Sequence, residues 1–259
     1  MGQLKPAVYI VGAGPGDPDL VTVQAQKLIQ QADVIVYADS LVPREILEWC
    51  RPEAEVVPTS TQTLEDILPI MIDRVRSHHT VLRLHSGDPC LYGALHEQMQ
   101  ALAAADIPFE VIPGISAFQL AAARLQVELT IPGLVQTIIL TRMSGRTQVP
   151  ESEELSSLAA HQASLCLYLS AHHVQESQQR LLVHYSPQTP VAICFHLGWP
   201  DEQIWVVPLA AMAATTAEHQ LTRTTLYVIS PALAKDLGQR RSRLYHPEHS
   251  HLFRPSTDH

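Results

Sequence analysis

Short apolar runs alternate with amphipathic stretches along most of this chain, and this alternation constrains its fold more than any other feature. Runs such as Ala7–Val11, Val34–Ala38 and Val81–Leu84 have the length and composition of buried strands. The stretch Thr63–Ser77 has apolar residues at helical spacing, Thr63 as a candidate N-cap and Asp66 three residues later as its partner. Strands that alternate with helices are typical of parallel pairing, so the first half predicts an α/β fold with a largely parallel sheet.

The second half also predicts strands and helices, with more antiparallel character. The tight turn Trp199–Glu202 lies between two short apolar runs, which favours antiparallel pairing of those runs. We therefore predict an N-terminal α/β domain over residues 1–128, a C-terminal α/β domain with a mixed sheet over 129–237, and a polar, His-rich tail over 238–259. The strands expected in the second half are Thr137–Thr141, Ser164–Ser170, Val191–Phe195, Gln203–Val207 and Thr225–Ser230.

Composition excludes several classes of protein. The formal net charge of -9 argues against a nucleic-acid-binding protein, which would usually present a basic face. No apolar run approaches the length of a membrane span, and the N-terminal segment has the pattern of a first strand and its loop instead of a signal peptide. The four cysteines are isolated from one another, as in reduced intracellular proteins. We therefore expect a cytoplasmic protein with no membrane and no nucleic-acid partner.

Small residues are concentrated in four corners that follow predicted strands. In the second of them, Gly87 allows close approach to the backbone, Asp88 can cap a helix or accept hydrogen bonds from a ligand, and Pro89 suits a first helical turn. Ligands of open α/β sheets bind at the carboxyl ends of strands, although an ordinary strand-to-helix turn would have a similar composition. The corners are Gly12–Asp17, Ser86–Asp88, Gly114–Ala117 and Thr141–Gly145.

The first corner only partly matches a dinucleotide-binding fingerprint. Asp17 stands where that fingerprint needs a glycine, and Pro15 and Pro18 interrupt the loop that should open the helix. Adjacent histidines do not converge on one face, and no Cys/His spacing fits zinc. No G-x-S-x-G elbow of a serine hydrolase is present. We therefore expect neither a nicotinamide or flavin enzyme nor a metal site, and small residues at several strand ends favour an organic ligand held by main-chain groups.

Taken together, these corners resemble the tetrapyrrole (corrin/porphyrin) methylase family, which uses S-adenosylmethionine. Finer motifs are similar to those of its precorrin-4 and cobalt-precorrin-4 carbon-11 methyltransferases, and the likeness extends from about Val8 to Ile229. The family motifs are Val8–Leu20 with Thr22, Ala32–Tyr37, Ser86–Pro89 and Val111–Ala117. The finer motifs are Tyr37–Val42, Arg83–Pro89 with Tyr92–Ala94, Glu128–Pro132, Thr137–Arg142 with Gly145–Thr147, and Trp199–Glu202.

The resemblance implies two α/β domains with S-adenosylmethionine in the cleft between them, and a homodimer. Methyl transfer from the activated sulfonium to carbon 11 of the tetrapyrrole needs alignment and no metal. Asp88 is our candidate catalytic residue, to orient the ligands or to balance the sulfonium charge, with helix capping as its structural alternative. The cofactor neighbours implied by motif position are Pro15, Ser86, Gly87, Asp88, Ser116, Ala117, Tyr168, Leu169, Ala192 and Thr225.

The carboxylates of such a substrate require cations or N–H donors, for which the candidates are His85, Arg124, Arg142 and Arg146. Three departures from the subgroup pattern concern substrate detail: Asp39 replaces a usual Gly, Cys90 a usual Ser, and residues 195–198 a stretch that usually carries an Arg. Whether the substrate carries cobalt therefore stays open. The alternatives are methylation of another tetrapyrrole carbon, as on uroporphyrinogen III, precorrin-2 or precorrin-3, and a tetrapyrrole carrier without catalysis.

Overall fold

The computed structural model describes residues 4–145 and 147–236, together with residues 242 and 250. It divides into two compact units: unit 1 comprises Met1–Ala121 and His196–Gln203, and unit 2 comprises Ala122–Phe195 and Ile204–His259. The predicted boundary at residue 128 stays a prediction, and the division adds a short segment from late in the chain to unit 1. The predicted tail over 238–259 lies outside the described residues, apart from 242 and 250.

Unit 1 is built on a five-stranded sheet in the order β3-β2-β4-β1-β5, and all of its strand pairs are parallel. The three central strands are buried along their whole length, because apolar clusters cover both faces of the sheet. The parallel sheet predicted for the first half is therefore confirmed. The strands are β1 (Val8–Gly12), β2 (Val34–Tyr37), β3 (Glu55–Pro58), β4 (Val81–His85) and β5 (Phe109–Ile112).

Helices connect these strands, and their N-termini follow from local side-chain chemistry. The Thr63 side chain and Asp66 form the predicted capping box at the start of α2. The amphipathic pattern of Leu20–Gln31 predicts a helix, and α1 begins within it at Val23, because Thr22 is its N-cap. The helices are α1 (Val23–Ile29), α2 (Leu64–Arg76), α3 (Leu95–Ala104) and α4 (Ala117–Leu125), of which α4 continues into unit 2.

The sequence after the Gly-Asp-Pro corner has a helical pattern from Leu91 to Ala105, but α3 begins four residues later, at Leu95. Tyr92 and Ala94 have positive φ angles of 59° and 50°, which are incompatible with a continuous right-handed helix. Residues 91–94 therefore form a turn between the Gly-Asp-Pro corner and α3. Ala94 is the N-cap of α3 and makes no side-chain capping bond, so Asp88 does not cap this helix.

Unit 2 contains a second five-stranded sheet, in the order β6-β7-β10-β8-β9. The pair β6 and β7 is parallel, whereas β10 runs antiparallel to both β7 and β8, so the predicted mixed sheet is confirmed. One face of this sheet packs on an apolar cluster that includes Leu165, Ile193 and Tyr227. The strands are β6 (Ile138–Arg142), β7 (Ser164–Tyr168), β8 (Pro190–Phe195), β9 (Gln203–Pro208) and β10 (Thr225–Ile229).

The helices of unit 2 are α5 (Leu155–Ala159), α6 (Val174–Leu181) and α7 (Met212–Glu218). Helix α7 was not predicted, because its Ala- and Thr-rich sequence lacks a clear apolar stripe. Its residues Met212 and Ala213 nevertheless belong to the core of unit 2. No helix within the described part of the chain is both long and apolar enough to cross a membrane.

Candidate functional site

In unit 1 the loops after β1 and β4 are joined by backbone hydrogen bonds at the carboxyl edge of the sheet. The amide of Ala13 donates to the carbonyl of His85 at 2.7 Å, which continues the strand pairing by one residue. Beyond it, Gly14 and Gly87 form an antiparallel bridge in which the Gly87 amide donates to the Gly14 carbonyl at 2.7 Å. Two of the predicted corners therefore form one continuous backbone surface.

The loop after β5 packs against the same surface, and this requires glycine. A Cβ on Gly12 would lie 2.5 Å from the Cα of Gly114 and 2.6 Å from the Gly87 carbonyl oxygen. Gly87 differs, because a Cβ there would meet nothing closer than the Cα of Ser116 at 3.8 Å. Its φ of +65° suits glycine, and a side chain there would make only ordinary van der Waals contacts.

Asp88 ties two of these loops together. One carboxylate oxygen accepts a hydrogen bond from the Cys90 amide at 2.8 Å, and the other accepts from the Gly114 amide at 2.9 Å. The carboxylate therefore fixes the turn after Gly87 and holds the loop after β5 beside it. Of the roles considered from sequence, helix capping is replaced by this clamp between loops.

Residues 196–203 lie against the loop after β1 in unit 1. A Cβ on Gly16 would lie 2.6 Å from Cδ1 of Trp199, so the indole packs directly on this glycine. Glu202 accepts a hydrogen bond from the Gly198 amide at 2.6 Å, and Asp201 contacts Nδ1 of His196 at 2.9 Å. The sequence predicted a tight turn here and gave no sign that it supports the first corner.

The cofactor neighbours expected in unit 1 are brought together by these contacts. All of them except Ala117 lie in the loops joined by the Gly14–Gly87 bridge and the Asp88 clamp, and Ala117 is the first residue of α4, directly after one of these loops. Main-chain groups and small side chains dominate the surface, which suits an uncharged part of an organic ligand. Pro15, Gly87 and Ser116 are buried, while Ser86, Asp88 and Ala117 are half-buried.

The four cofactor neighbours expected in unit 2 do not share one face of their sheet. Thr225 pairs with Phe195, on the same face as the core residue Tyr227. Tyr168 and Ala192 lie on the opposite face, because they alternate with the core residues of β7 and β8. Leu169 is 68% exposed and has a φ of +52°. A common ligand could reach Thr225 only through its backbone or from the strand end.

His85 is buried at the end of β4, and burial lowers its pKa to about 4, aided by the charge of Arg83. The imidazole is therefore neutral near pH 7, so it offers a substrate carboxylate an N–H group and no charge. Its Nε2 lies 3.5 Å from Nε2 of Gln98 on α3. Arg83, which the sequence analysis did not select, lies on the same strand and is also buried.

The arginines proposed for the substrate have different surroundings. Arg142 donates to the carbonyls of Met143, Thr147 and Gln148, and so holds the loop after β6. Arg124 is exposed near the end of α4. Arg146 lies outside the described residues. Over residues 4–145 and 147–236, no group of three or more His, Cys, Asp or Glu side chains could hold a metal ion.

Comparison with known proteins agrees with this arrangement. The profile of the family "Tetrapyrrole (Corrin/Porphyrin) Methylases" matches residues 7–213. The precorrin-4 C(11)-methyltransferase of Pseudomonas aeruginosa is 43% identical over 96% of this chain and 98% of its own length. The cobalt-precorrin-4 C(11)-methyltransferase of Priestia megaterium is 40% identical over 95% and 97%. A solved cobalt precorrin-4 methyltransferase superposes with a TM-score of 0.85 at 40% identity, covering 88% of this chain and 96% of that structure.

Proposed function

The chain belongs to the tetrapyrrole methylase family and is a methyltransferase, and from this premise we propose that it methylates carbon 11 of precorrin-4 or cobalt-precorrin-4 in cobalamin biosynthesis. One observation carries the choice of ring carbon: the similarity to carbon-11 enzymes at about 40% identity extends over nearly the full length of both chains. A match confined to the strand-end corners would support only the family.

We propose S-adenosylmethionine as the methyl donor, and the residues of unit 1 fit it. Gly87 has no side chain and those of Ser116 and Ala117 are small, which suits a flat or extended ligand that lies against the backbone. When bound, this cofactor supplies an activated methyl group on a sulfonium. The chain then needs no metal or nucleophilic side chain of its own, since the electron-rich tetrapyrrole is the nucleophile.

The main contribution of the chain to the reaction is alignment, which can be worth several kcal/mol of the barrier. We propose Asp88 as a positioning residue, because both of its oxygens already accept backbone hydrogen bonds. The loops that it joins would set the angle at which the methyl donor meets the ring. Tyr168, Leu169, Ala192 and Thr225 stay proposals for cofactor contacts, as do His85, Arg124, Arg142 and Arg146 for substrate contacts.

The proposed function is tested by incubating the purified chain with S-adenosylmethionine and either precorrin-4 or cobalt-precorrin-4. We expect a mass increase of one methyl group, placed at carbon 11 by position-resolved NMR, and the faster substrate form identifies the role of cobalt. Methylation at another carbon would contradict the choice of carbon 11 and leave the assignment to the family unchanged. Isothermal titration with S-adenosylmethionine provides the second arm, because a carrier without catalysis would bind tetrapyrrole and show no cofactor binding.

We further propose, from the family resemblance, that the protein is a cytoplasmic homodimer. Light scattering coupled to size-exclusion chromatography should give twice the chain mass of 28.6 kDa. A monomeric mass at micromolar concentration would contradict the dimer while leaving the methyl-transfer proposal intact.

A further inference from the structure

Arg83 is a cation buried inside unit 1 with little to compensate it. It is 7% exposed, and it lies on β4 between Ile10 of β1 and Val36 of β2. One terminal nitrogen donates to Oγ1 of Thr59 at 3.2 Å and to the Val36 carbonyl at a long 3.5 Å. Its Nε is buried without a hydrogen-bond partner, and within the described chain no acidic side chain forms an ion pair with it.

The neighbouring side chains do not compensate the charge either. His85 lies on the same face of β4 and is neutral, so it adds no negative charge. Gln98 of α3 is also buried; it donates to the Gly93 carbonyl at 3.1 Å, while its Oε1 has no partner. This part of the unit therefore combines an unsatisfied donor with an unsatisfied acceptor.

Such an arrangement is costly for folding alone. Burial lowers the pKa of Arg83 to about 10, so the guanidinium is still protonated at neutral pH. A buried charge without a counter-ion destabilises a fold, and buried polar atoms without partners do so too. Departures of this kind from well-paired burial are expected at functional sites.

The cluster lies near the carboxyl edge of the sheet, which is the edge that carries the Gly87 corner. Thr59 directly follows β3, and Asp39 holds it there by accepting a hydrogen bond from its amide at 2.9 Å. Arg83 itself is two residues before the end of β4, where the Ser86–Gly87 loop begins. Arg83 and Thr59 therefore lie toward the same edge of the sheet as the proposed cofactor corner.

We propose that Arg83 binds an acidic side chain of the tetrapyrrole substrate, through guanidinium N–H groups such as the unpartnered Nε. A guanidinium suits a carboxylate because it can donate two parallel hydrogen bonds. The inference rests on the proposed function for the identity of the substrate. It adds Arg83 to the residues proposed for substrate binding, because the arginines chosen from sequence were Arg124, Arg142 and Arg146.

The test compares Arg83→Met with the exposed control Arg44→Met. For Arg83→Met we expect KM for the tetrapyrrole to rise about ten-fold or more, with kcat changed much less and the Kd for S-adenosylmethionine unchanged. The melting temperature should stay equal to or above that of the native chain, because the variant removes an uncompensated buried charge. Arg83→Lys keeps the positive charge and loses the two parallel N–H donors of the guanidinium, so its KM should be intermediate.

A binding measurement separates this inference from the proposed function. Fluorescence titration with uroporphyrin III, a stable polycarboxylate tetrapyrrole, requires no turnover, and we expect weaker binding by Arg83→Met than by the native chain and Arg44→Met. If the native chain fails to methylate at carbon 11 yet shows this difference, only the proposed reaction fails. Unchanged KM and uroporphyrin affinity, or a melting temperature lowered together with cofactor affinity, would show that Arg83 is structural and overturn the inference.

Discussion

At the scale of single residues, Asp88 is the side chain whose two oxygens decide how two loops meet. Asp88→Asn keeps one acceptor oxygen and replaces the other with an amide, so the bond to the Cys90 or the Gly114 amide is lost. We expect the free energy of unfolding to fall by about 1–2 kcal/mol, and both cofactor affinity and methyl-transfer rate to fall. Titration calorimetry and a single-turnover assay measure these effects, with the exposed Asp73→Asn as control. Native values for affinity and rate would contradict the positioning role.

His85 gives the molecule a pH dependence of stability. Its pKa is about 4 in the folded chain and about 6.5 in the unfolded chain, so the unfolded state takes up the proton first as the pH falls. The stabilisation is therefore complete above pH 6.5 and is lost progressively down to pH 4. Between pH 7 and pH 5 we expect His85→Gln to lose about 2 kcal/mol less stability than the native chain in urea unfolding. Parallel losses in both chains would rule out the buried neutral imidazole.

The residues differ in how far sequence could identify them. Gly87 and Asp88 lie in a strand-to-helix corner of small residues, and this composition already pointed to a ligand loop. The role of Asp88 required the structure, because its partner Gly114 lies 26 positions away in the chain. Arg83 was missed because a single charged residue in an apolar strand is also typical of a strand at the edge of a sheet. The available signal was a single charge within an apolar strand of the predicted parallel sheet, because such strands are covered on both faces.

At the scale of elements, the glycines of the strand-end loops have two separate functions. Gly12→Ala would drive a Cβ into the backbone of Gly114, so we expect a loss of about 2 kcal/mol or more in stability. Gly87→Ala meets no close atom and should cost only about 1 kcal/mol, for its left-handed backbone. If the cofactor approaches this glycine, Gly87→Ala remains folded and binds S-adenosylmethionine more weakly. Thermal melting and calorimetry on both variants test this, and unchanged cofactor affinity in Gly87→Ala would remove Gly87 from the cofactor site.

The start of α2 provides a test of local stability away from the proposed site. Thr63→Ala removes the hydroxyl that accepts from the Asp66 amide and should lower the free energy of unfolding by about 1 kcal/mol. Thr63→Ser keeps the hydroxyl and should restore most of the loss. Cofactor affinity should stay at the native value in both variants, and a drop in affinity would show that α2 is coupled to the cofactor loops.

Elements with strong local signals were predicted well, and those set by tertiary contacts were not. The cap and periodicity of α2 were evident because Thr63, Asp66 and the apolar stripe lie within one short segment. The late start of α3 depends on Ala94, whose left-handed backbone has no sequence signature. Helix α7 is stabilised by packing on the core of unit 2, and its own sequence carries little amphipathic pattern.

At the scale of the whole molecule, alternation of strands and helices was enough to predict a parallel sheet followed by a mixed one. Strand order was not predicted, because it depends on pairings between distant segments such as β10 between β7 and β8. The membership of residues 196–203 in unit 1 was also missed, since those residues lie between two strands of unit 2 in the sequence. Local pattern carries no information on which unit a connecting turn joins.

The packing of Trp199 on Gly16 has a consequence for how this chain can be cut into fragments. The polypeptide passes from one unit to the other at residues 121, 195 and 203, so no single cleavage separates two complete units. A fragment that ends at residue 121 lacks the indole that covers Gly16, and its first corner would be exposed to water. Adding residues 196–203 as a separate peptide should raise the melting temperature of that fragment. The turn would then act as a complementing peptide in a split version of the protein.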